Sequence, residues 1–366
     1  MWQKIISIIN EHEKFVITSH TNPDCDALGS ELALAAHLRA MGKSVLIMNS
    51  DPVPPTCWFI DRKNKAKRFH KNSRHLHKLD EAEVVIVVDV SGWERIGRVG
   101  DKLAQTKSFK ICIDHHPDPI DFADVAVIDT SAAAAAELIY SLLVEMGATF
   151  TPRMAQALYA GILTDTGGFR FPKTSPKTHQ IIADLIGHGA DPLHIYKQVY
   201  EQSSLARTRV KGYLLSNIET AADGQIAYYS ISQKTLKEHN IAFGHLNGFA
   251  GLGHEIRKVR VTIYCVEASP NRIKISLRSD GSVTINQIAM EYGGGGHPSA
   301  AGASTEGQLD EIVAGLVDKA TLLLEKAAAE AAEAEAAEVA TTEAEAEAAE
   351  VAEAAEVAEE AVTTSP

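Results

Sequence analysis

Residues 19–30 read Ser-His-Thr-Asn-Pro-Asp-Cys-Asp-Ala-Leu-Gly-Ser, which packs an imidazole and two carboxylates, His20, Asp24 and Asp26, into one short stretch. Further along, the purely apolar run Val84–Val88 delivers Asp89 at its end. A carboxylate that follows a buried strand either caps a loop or meets a cation, because an unpaired buried charge is expensive. The run Lys110–Ile113 delivers Asp114-His115-His116 in the same way. Adjacent histidines at a strand end cannot face the same side, so one can bind metal and the other substrate, with Asp114 as support. A fourth segment, Gly161–Phe169, puts Asp165 at a helix end beside Gly167 and Gly168. Taken singly, each has a plainer explanation: Asn22-Pro23-Asp24 as a turn, Asp26 as a helix N-cap, Asp165 as a C-cap.

The elements that must carry these residues make the plain explanations insufficient. Five apolar, β-branched runs, Phe15–Thr18, Val45–Met48, Val84–Val90, Lys110–Ile113 and Val125–Ile128, read as buried parallel strands. Between the first two, Ala27–Met41 has helical periodicity and closes on Gly42, giving a βαβ unit. Ser131 is the expected N-cap of a helix to Met146, and Pro152 opens another over Arg153–Leu163. His20, Asp24, Asp26, Asp89, His115 and Asp165 then all fall on the side of a doubly wound sheet where ligands collect. Hard carboxylate oxygens mixed with imidazole, without clustered thiolates, favour Mn²⁺ or Mg²⁺. Six ligands suffice for two ions if one carboxylate bridges, and such a pair activates water and stabilises charge in phosphoryl transfer.

Residues 173–215 read as further helices. Strands follow at Ile226–Ile231, Val259–Val266 and Arg272–Leu277, then the glycine-rich stretch Gly293–Gly302 and a helix from about Gly307 to Lys326. The expected map is a metal-binding α/β domain over 1–190, with a parallel sheet and helices on both faces. A helical connection over 191–224, a smaller α+β domain over 225–325 and a low-complexity Ala/Glu tail over 326–366 complete it.

The formal charge of −13 is lopsided, since thirteen Glu against one Lys from residue 325 onward carry −12 of it. The body is therefore close to neutral. That argues against a broad basic surface for long nucleic acid and leaves short anionic substrates open. The tail, with AAEVA repeated at 336, 348 and 354, lacks large apolar residues and reads as a solvated helix or disordered arm whose partner is unknown. Cys25, Cys57, Cys112 and Cys265 form neither a CxxC pair nor a dense framework, so a reducing compartment is expected. With no signal-like segment and no long apolar run, the reading is a cytoplasmic protein without a membrane partner.

In these residues the sequence strongly resembles the DHH phosphoesterases over about residues 1–325. The motifs are His20-Thr-Asn-Pro-Asp-Cys-Asp26, Val88-Asp89, Asp114-His-His116 and Thr164-Asp165-Thr-Gly-Gly168, with Gly293–Gly296 and His297-Pro-Ser-Ala-Ala-Gly302 marking the companion DHH-associated domain. The resemblance implies His20 and Asp24 on one ion, Asp26, His115 and Asp165 on the other, and Asp89 bridging; Asp89 and His116 would be the catalytic pair, His116 towards the scissile phosphate. It also implies two Mn²⁺ per subunit, with Mg²⁺ possible, and substrate contacts from Arg278, Gly294, Gly295, Gly296 and His297. Two positions depart from the usual pattern: Cys25 stands where glycine is frequent, and Ala132–Ala136 where many relatives carry Ser or Thr.

The layout is similar to family members that hydrolyse short oligoribonucleotides to nucleoside 5'-monophosphates and adenosine 3',5'-bisphosphate (pAp) to AMP, through a water activated by the two ions. The alternative is a cyclic di-AMP or pApA phosphodiesterase. A RecJ-like single-strand exonuclease fits less well, because residues 1–324 leave no room for an additional nucleic-acid-binding module. The glycine-rich loop argues against the pyrophosphatase branch, and a binding-only regulator would have lost a ligand. A homodimer is a further implication of the resemblance.

Overall fold

The apolar runs of the N-terminal half pair into a single parallel sheet. The computed structural model describes residues 1–334 apart from positions 71, 73, 74, 91, 117–121 and 247. The greater part of the Ala/Glu tail, 335–366, therefore lies outside the described residues. The chain divides into two units, residues 1–202 and residues 203 onward.

The first unit runs α1 (Gln3–Glu11), β1 (Lys14–Thr18), α2 (Cys25–Ala40), β2 (Ser44–Asn49), β3 (Ala66–Arg68), α3 (Leu76–Asp80), β4 (Val84–Val88), α4 (Arg98–Leu103), β5 (Phe109–Asp114), β6 (Val125–Ile128), α5 (Ala135–Glu145), α6 (Pro152–Asp165), α7 (Pro176–Gly187) and α8 (Pro192–Tyr200). Its six strands lie in the order β3-β2-β1-β4-β5-β6, all parallel. The order reverses between β1 and β4, so a crevice opens at the carboxyl ends of those two strands.

Successive side chains leave a strand on opposite faces, and the sheet is buried on both. Phe15, Ile17, Ile47, Ile86 and Val88 pack against α1, α2, α5 and α6. Val16, Met48, Val85 and Val87 pack against Leu79 of α3 and Val99 and Leu103 of α4.

Four local expectations are corrected. The parallel sheet gains β3, whose three-residue sequence Ala-Lys-Arg is too short and polar to stand out; it forms because it pairs with the exposed edge of β2. Helix α2 begins at Cys25, and its N-cap is Asp24, whose carboxylate accepts from the Asp26 and Ala27 N–H groups at 2.9 and 3.1 Å. Helix α5 begins at Ala135 and not at Ser131, which is turned towards Asp129 instead. The first N–H groups of α5 donate to the buried Asp26 carboxylate, which needs donors more than a solvated hydroxyl does. Finally, Cys25 and Cys57 are joined in a disulfide across 32 positions, a pairing that spacing alone does not disclose.

The second unit runs α9 (Leu205–Ser216), β7 (Glu219–Ala221), β8 (Ile226–Ile231), α10 (Gln233–Glu238), β9 (Val261–Ser269), β10 (Arg272–Ser279), α11 (Asn286–Glu291), β11 (Gly295–His297), β12 (Ala300–Glu306) and α12 (309–334). Its mixed sheet has the order β11-β12-β10-β9-β8-β7, with only β8 and β9 parallel. Ile273, Ile275 and Leu277 pack on one face against α11 and against Leu316, Ala320 and Leu324 of α12. The glycine-rich stretch expected as a loop is largely the β11–β12 hairpin. The final helix starts at 309 and continues past Lys326, so the beginning of the acidic tail is helical.

Candidate metal centre

The centre is assembled at the carboxyl ends of β1, β4 and β5. Leaving β1, the backbone is held by Asn49, whose Oδ1 accepts from the Ser19 N–H at 3.2 Å and the Thr18 hydroxyl at 3.3 Å. The Asn49 amide donates to Glu31 Oε2 at 2.9 Å. Glu31 is fully buried, and burial pushes its pKa up to about 8. Ahead of this network, His20 donates from Nδ1 to the Thr21 carbonyl at 2.8 Å, which leaves Nε2 3.3 Å from Asp89 Oδ2.

Asp89 follows β4 with φ of +59°, a conformation few non-glycine residues adopt. Its N–H is fixed by the Ile113 carbonyl of β5 at 3.1 Å. Strain of this kind persists only where surrounding structure enforces it. Here the effect is to turn a buried carboxylate into the crevice.

His115, beyond β5, repeats the arrangement of His20. Its Nδ1 faces the Ala132 carbonyl at 3.3 Å, and its buried Nε2 makes no hydrogen bond while lying 3.4 Å from Asp89 Oδ1, 3.2 Å from Asp165 Oδ2 and 3.9 Å from Asp26 Oδ2. His116 has its Nδ1 2.8 Å from Asp114 Oδ1 and 3.8 Å from Asp89 Oδ1, so both adjacent histidines reach Asp89 rather than facing opposite sides, and the Asp114 carboxylate also accepts from the His115 N–H.

Two donor sets result, with ligand atoms of each set within 4.8 Å of one another: His20, Asp24 and Asp89, and Asp26, His115 and Asp165. A third grouping, Asp89, Asp114, His115 and His116, overlaps both. The electrostatics show what this clustering costs. Burial works against a charge on His20, yet the hydrogen-bonded Asp89 carboxylate and then Asp24 outweigh it and lift the imidazole to about 9. Burial, and after it the Asp89 charge, raises Asp165 to about 7 and Asp26 well above the usual carboxylate range. Asp89 moves down: burial opposes its charge, but His115 and His20 hold it ionised.

A divalent cation fits this donor set. Carboxylate oxygens and imidazole nitrogens converge, the ion pairs of Asp26, Asp89 and Asp165 among the described residues are all with histidine, and His115 presents a buried ring nitrogen with no hydrogen bond. In both His20 and His115 the opposite nitrogen is turned to a backbone carbonyl, which selects the tautomer a metal ligand needs.

Family comparisons agree with this geometry. The model of the DHH family, N-terminal domain, matches residues 14–162, and that of the DHHA1 domain matches residues 223–326. The chain belongs to the DHH family. A protein of Bacillus subtilis named bifunctional oligoribonuclease and PAP phosphatase NrnA is 29% identical over 321 residues, covering 86% of this chain and 97% of that protein. An uncharacterised protein of Mycoplasma pneumoniae is 31% identical over 304 residues, with 79% and 85% covered. Among solved structures, an exopolyphosphatase-related protein from Bacteroides fragilis superposes with a TM-score of 0.83 at 29% identity, over 88% of this chain and 96% of that one. As a DHH phosphoesterase, the chain is a metal-dependent hydrolase of phosphoester bonds.

Within this DHH protein the structure brings His20, Asp24, Asp26, Asp89, His115, His116 and Asp165 together in the first unit. Arg278, Gly294, Gly295, Gly296 and His297 lie in the second. There, Arg278 of β10 and His297 of β11 both pair with Ala300 of β12, so they share a face of the sheet two strands apart, about 10 Å. Two of the glycines, Gly294 and Gly296, have conformational reasons to be there. A Cβ at Gly294 would meet the Gly302 carbonyl oxygen at 2.1 Å, and Gly296 has φ of +138° with the Ala300 oxygen 2.5 Å from its would-be Cβ.

Sequence reasoning missed the supports. Glu31 and Asn49 sit inside ordinary helix and strand patterns and betray themselves only by being polar at core positions. Gly29 and Gly161 lie within the quoted motifs, yet what matters is that they let α2 and α6 touch: a Cβ on Gly29 would meet the Ala157 oxygen at 2.3 Å, and one on Gly161 would meet Asp26 Oδ1 at 2.9 Å. No helix among the described residues is long and apolar enough to cross a membrane.

Proposed function

We propose that this protein hydrolyses short oligoribonucleotides to nucleoside 5'-monophosphates and removes the 3'-phosphate of pAp, with two divalent cations, Mn²⁺ in preference to Mg²⁺. One observation carries the reading. The two oxygens of Asp89 face different histidines, Oδ2 towards His20 and Oδ1 towards His115, and each histidine belongs to a donor set with its own further carboxylates. That is the layout expected of a carboxylate shared by two ions.

His20, Asp24 and Asp89 would hold one cation and Asp26, His115, Asp165 and Asp89 the other. Bound there, the pair would supply a nucleophilic water at neutral pH and neutralise charge developing on the phosphoryl oxygens. The chain's own side chains do the rest. Asp114 fixes the His116 ring in an orientation suited to contact with the substrate's phosphate. Asp89, kept ionised by two imidazoles, holds the centre's negative charge over the working pH range. In the second unit Arg278 and His297, on one sheet face, suit a terminal phosphate, a guanidinium giving bidentate contact. The relatives named as oligoribonuclease and PAP phosphatase support the substrate class, and the near-neutral body suits ligands with few phosphates.

Initial rates with Mn²⁺ on pAp, pApA, a five-nucleotide RNA, cyclic di-AMP and pyrophosphate test this. Metal-dependent release of AMP from pAp and of mononucleotides from both RNAs is expected. Faster turnover of cyclic di-AMP or pyrophosphate than of either would overturn the substrate assignment.

A further inference from the structure

A groove of about 790 Å³ lies beyond the metal centre on the β3 side of the first sheet, lined among others by Pro52, Val53, Trp58, Arg62, Lys67 and Arg68. It is cationic: Arg62, Lys67 and Arg68 stand against Asp61, and Asp61 is buried with both carboxylate oxygens taken up by the Lys65 and Ala66 N–H groups. Trp58 is 60% exposed, an unusual position for the largest apolar side chain. Its indole is not loose, since Nε1 donates to the Val53 carbonyl at 3.0 Å.

Both walls are tied to the catalytic edge. Arg68 is in register with Asn49, and Asn49 holds the end of β1, so Arg68 lies two strands, about 10 Å, from the start of the His20 loop. Trp58 follows Cys57, and the disulfide sets the Cys57 and Cys25 Cα atoms 5.7 Å apart. Cys25 stands between Asp24 and Asp26. With consecutive Cα atoms about 3.8 Å apart, Trp58 is therefore anchored within about 10 Å of the ligand-bearing turn.

We infer that this groove is a subsite for the part of a single-stranded oligonucleotide that extends past the scissile linkage, with a base stacked on Trp58 and a phosphate on Arg68. A fixed, exposed aromatic face beside a basic wall is the combination by which proteins take up single strands without reading sequence. The inference rests on the proposed oligonucleotide activity and deepens it. Ligands too short to reach across two strands, such as pAp, do not use the groove, so it acts on length preference.

The test compares wild type with Trp58→Ala, Trp58→Phe and Arg68→Ala in the full-length protein. The ratio of kcat/KM for a five-nucleotide oligoadenylate to that for pAp is expected to fall about tenfold in Trp58→Ala, mostly through KM, in keeping with loss of one stacked base. Trp58→Phe restores it to within about twofold, and Arg68→Ala lowers both the ratio and its salt dependence. An unchanged ratio in both alanine variants, or equal losses on both substrates, overturns the proposal. Separately, tryptophan fluorescence is titrated with the same oligonucleotide in EDTA. Quenching that vanishes in Trp58→Phe supports the subsite, and quenching that persists refutes it. Failure of the wild type to hydrolyse any RNA or pAp would defeat the functional reading, while the fluorescence arm still decides the groove.

Discussion

Asp89 is the side chain on which the proposed chemistry turns, because its Oδ2 faces His20 of one donor set and its Oδ1 faces His115 of the other. Asp89→Asn keeps the shape and removes the charge that two cations would share. Hydrolysis is expected to drop by more than about 100-fold, since losing a residue that merely supports a metal ligand already costs 10- to 100-fold. Elemental analysis of the manganese-loaded variant should show fewer than two ions per chain. Full metal-dependent activity in this variant would contradict the shared-carboxylate reading. Behind the centre, Glu31 makes a different prediction. Its pKa is raised to about 8 by burial, so the folded chain keeps a proton that the unfolded chain releases above about pH 4.5. The stability this contributes is complete below pH 4.5 and is lost as pH rises to about 8, at up to about 1.4 kcal/mol per pH unit. Glu31→Gln retains an acceptor for Asn49 and cannot ionise. Its urea midpoint should therefore gain on wild type progressively between pH 5 and pH 8; parallel curves would remove Glu31 as the titrating group.

At the scale of elements, the centre depends on how closely α2 and α6 approach. Gly161 gives the room, and Asp26 occupies it while accepting from the first N–H groups of α5 at 2.7 and 2.8 Å. Gly161→Ala gains helix propensity, about 0.5–1 kcal/mol. It also places a methyl 2.9 Å from Asp26 Oδ1 and 3.0 Å from the Ala136 Cβ, where overpacking costs about 1–3 kcal/mol. The clash wins, so a lower urea midpoint and weaker manganese binding are expected. Gly212→Ala in α9, where nothing lies within 4 Å of the new methyl, serves as the control and should be neutral or slightly stabilising. Equal behaviour of the two variants would show that the α2–α6 contact does not position Asp26.

At the scale of the whole molecule, charge is segregated from chemistry. Residues 335–366 contain ten Glu and no basic residue, whereas the candidate metal ligands lie between His20 and Asp165 in the sequence. Ending the chain after residue 334 preserves Leu316, Ala320 and Leu324 of α12, which the second unit buries; a cut at Glu325 would expose that helix's last packed turn. The shortened protein should hydrolyse pAp and short RNA with kcat/KM within about twofold of the full chain, as it keeps every candidate ligand and the packed residues of α12, and the tail's Ala, Glu, Val and Thr residues offer no imidazole or basic group for phosphate chemistry. A larger change would give the acidic arm a part in catalysis.

Much of this was legible along the chain, for a physical reason. A carboxylate directly after an unbroken apolar strand must surface at the sheet edge, so Asp89 announced its position, and Asp114-His115-His116 did so at the end of β5. The strands β1, β2, β4, β5 and β6 were visible because burial on both faces demands continuous apolar runs. What the sequence left open depends on partners distant in the chain. The tertiary fold alone decided that β3 pairs as an edge, that Asp26 rather than Ser131 receives the start of α5, that Cys25 meets Cys57, and that Glu31 and Asn49 brace the His20 turn. Each of these is a contact between segments tens of residues apart, fixed by close packing and by the need of buried polar groups for partners, and local periodicity carries no record of either.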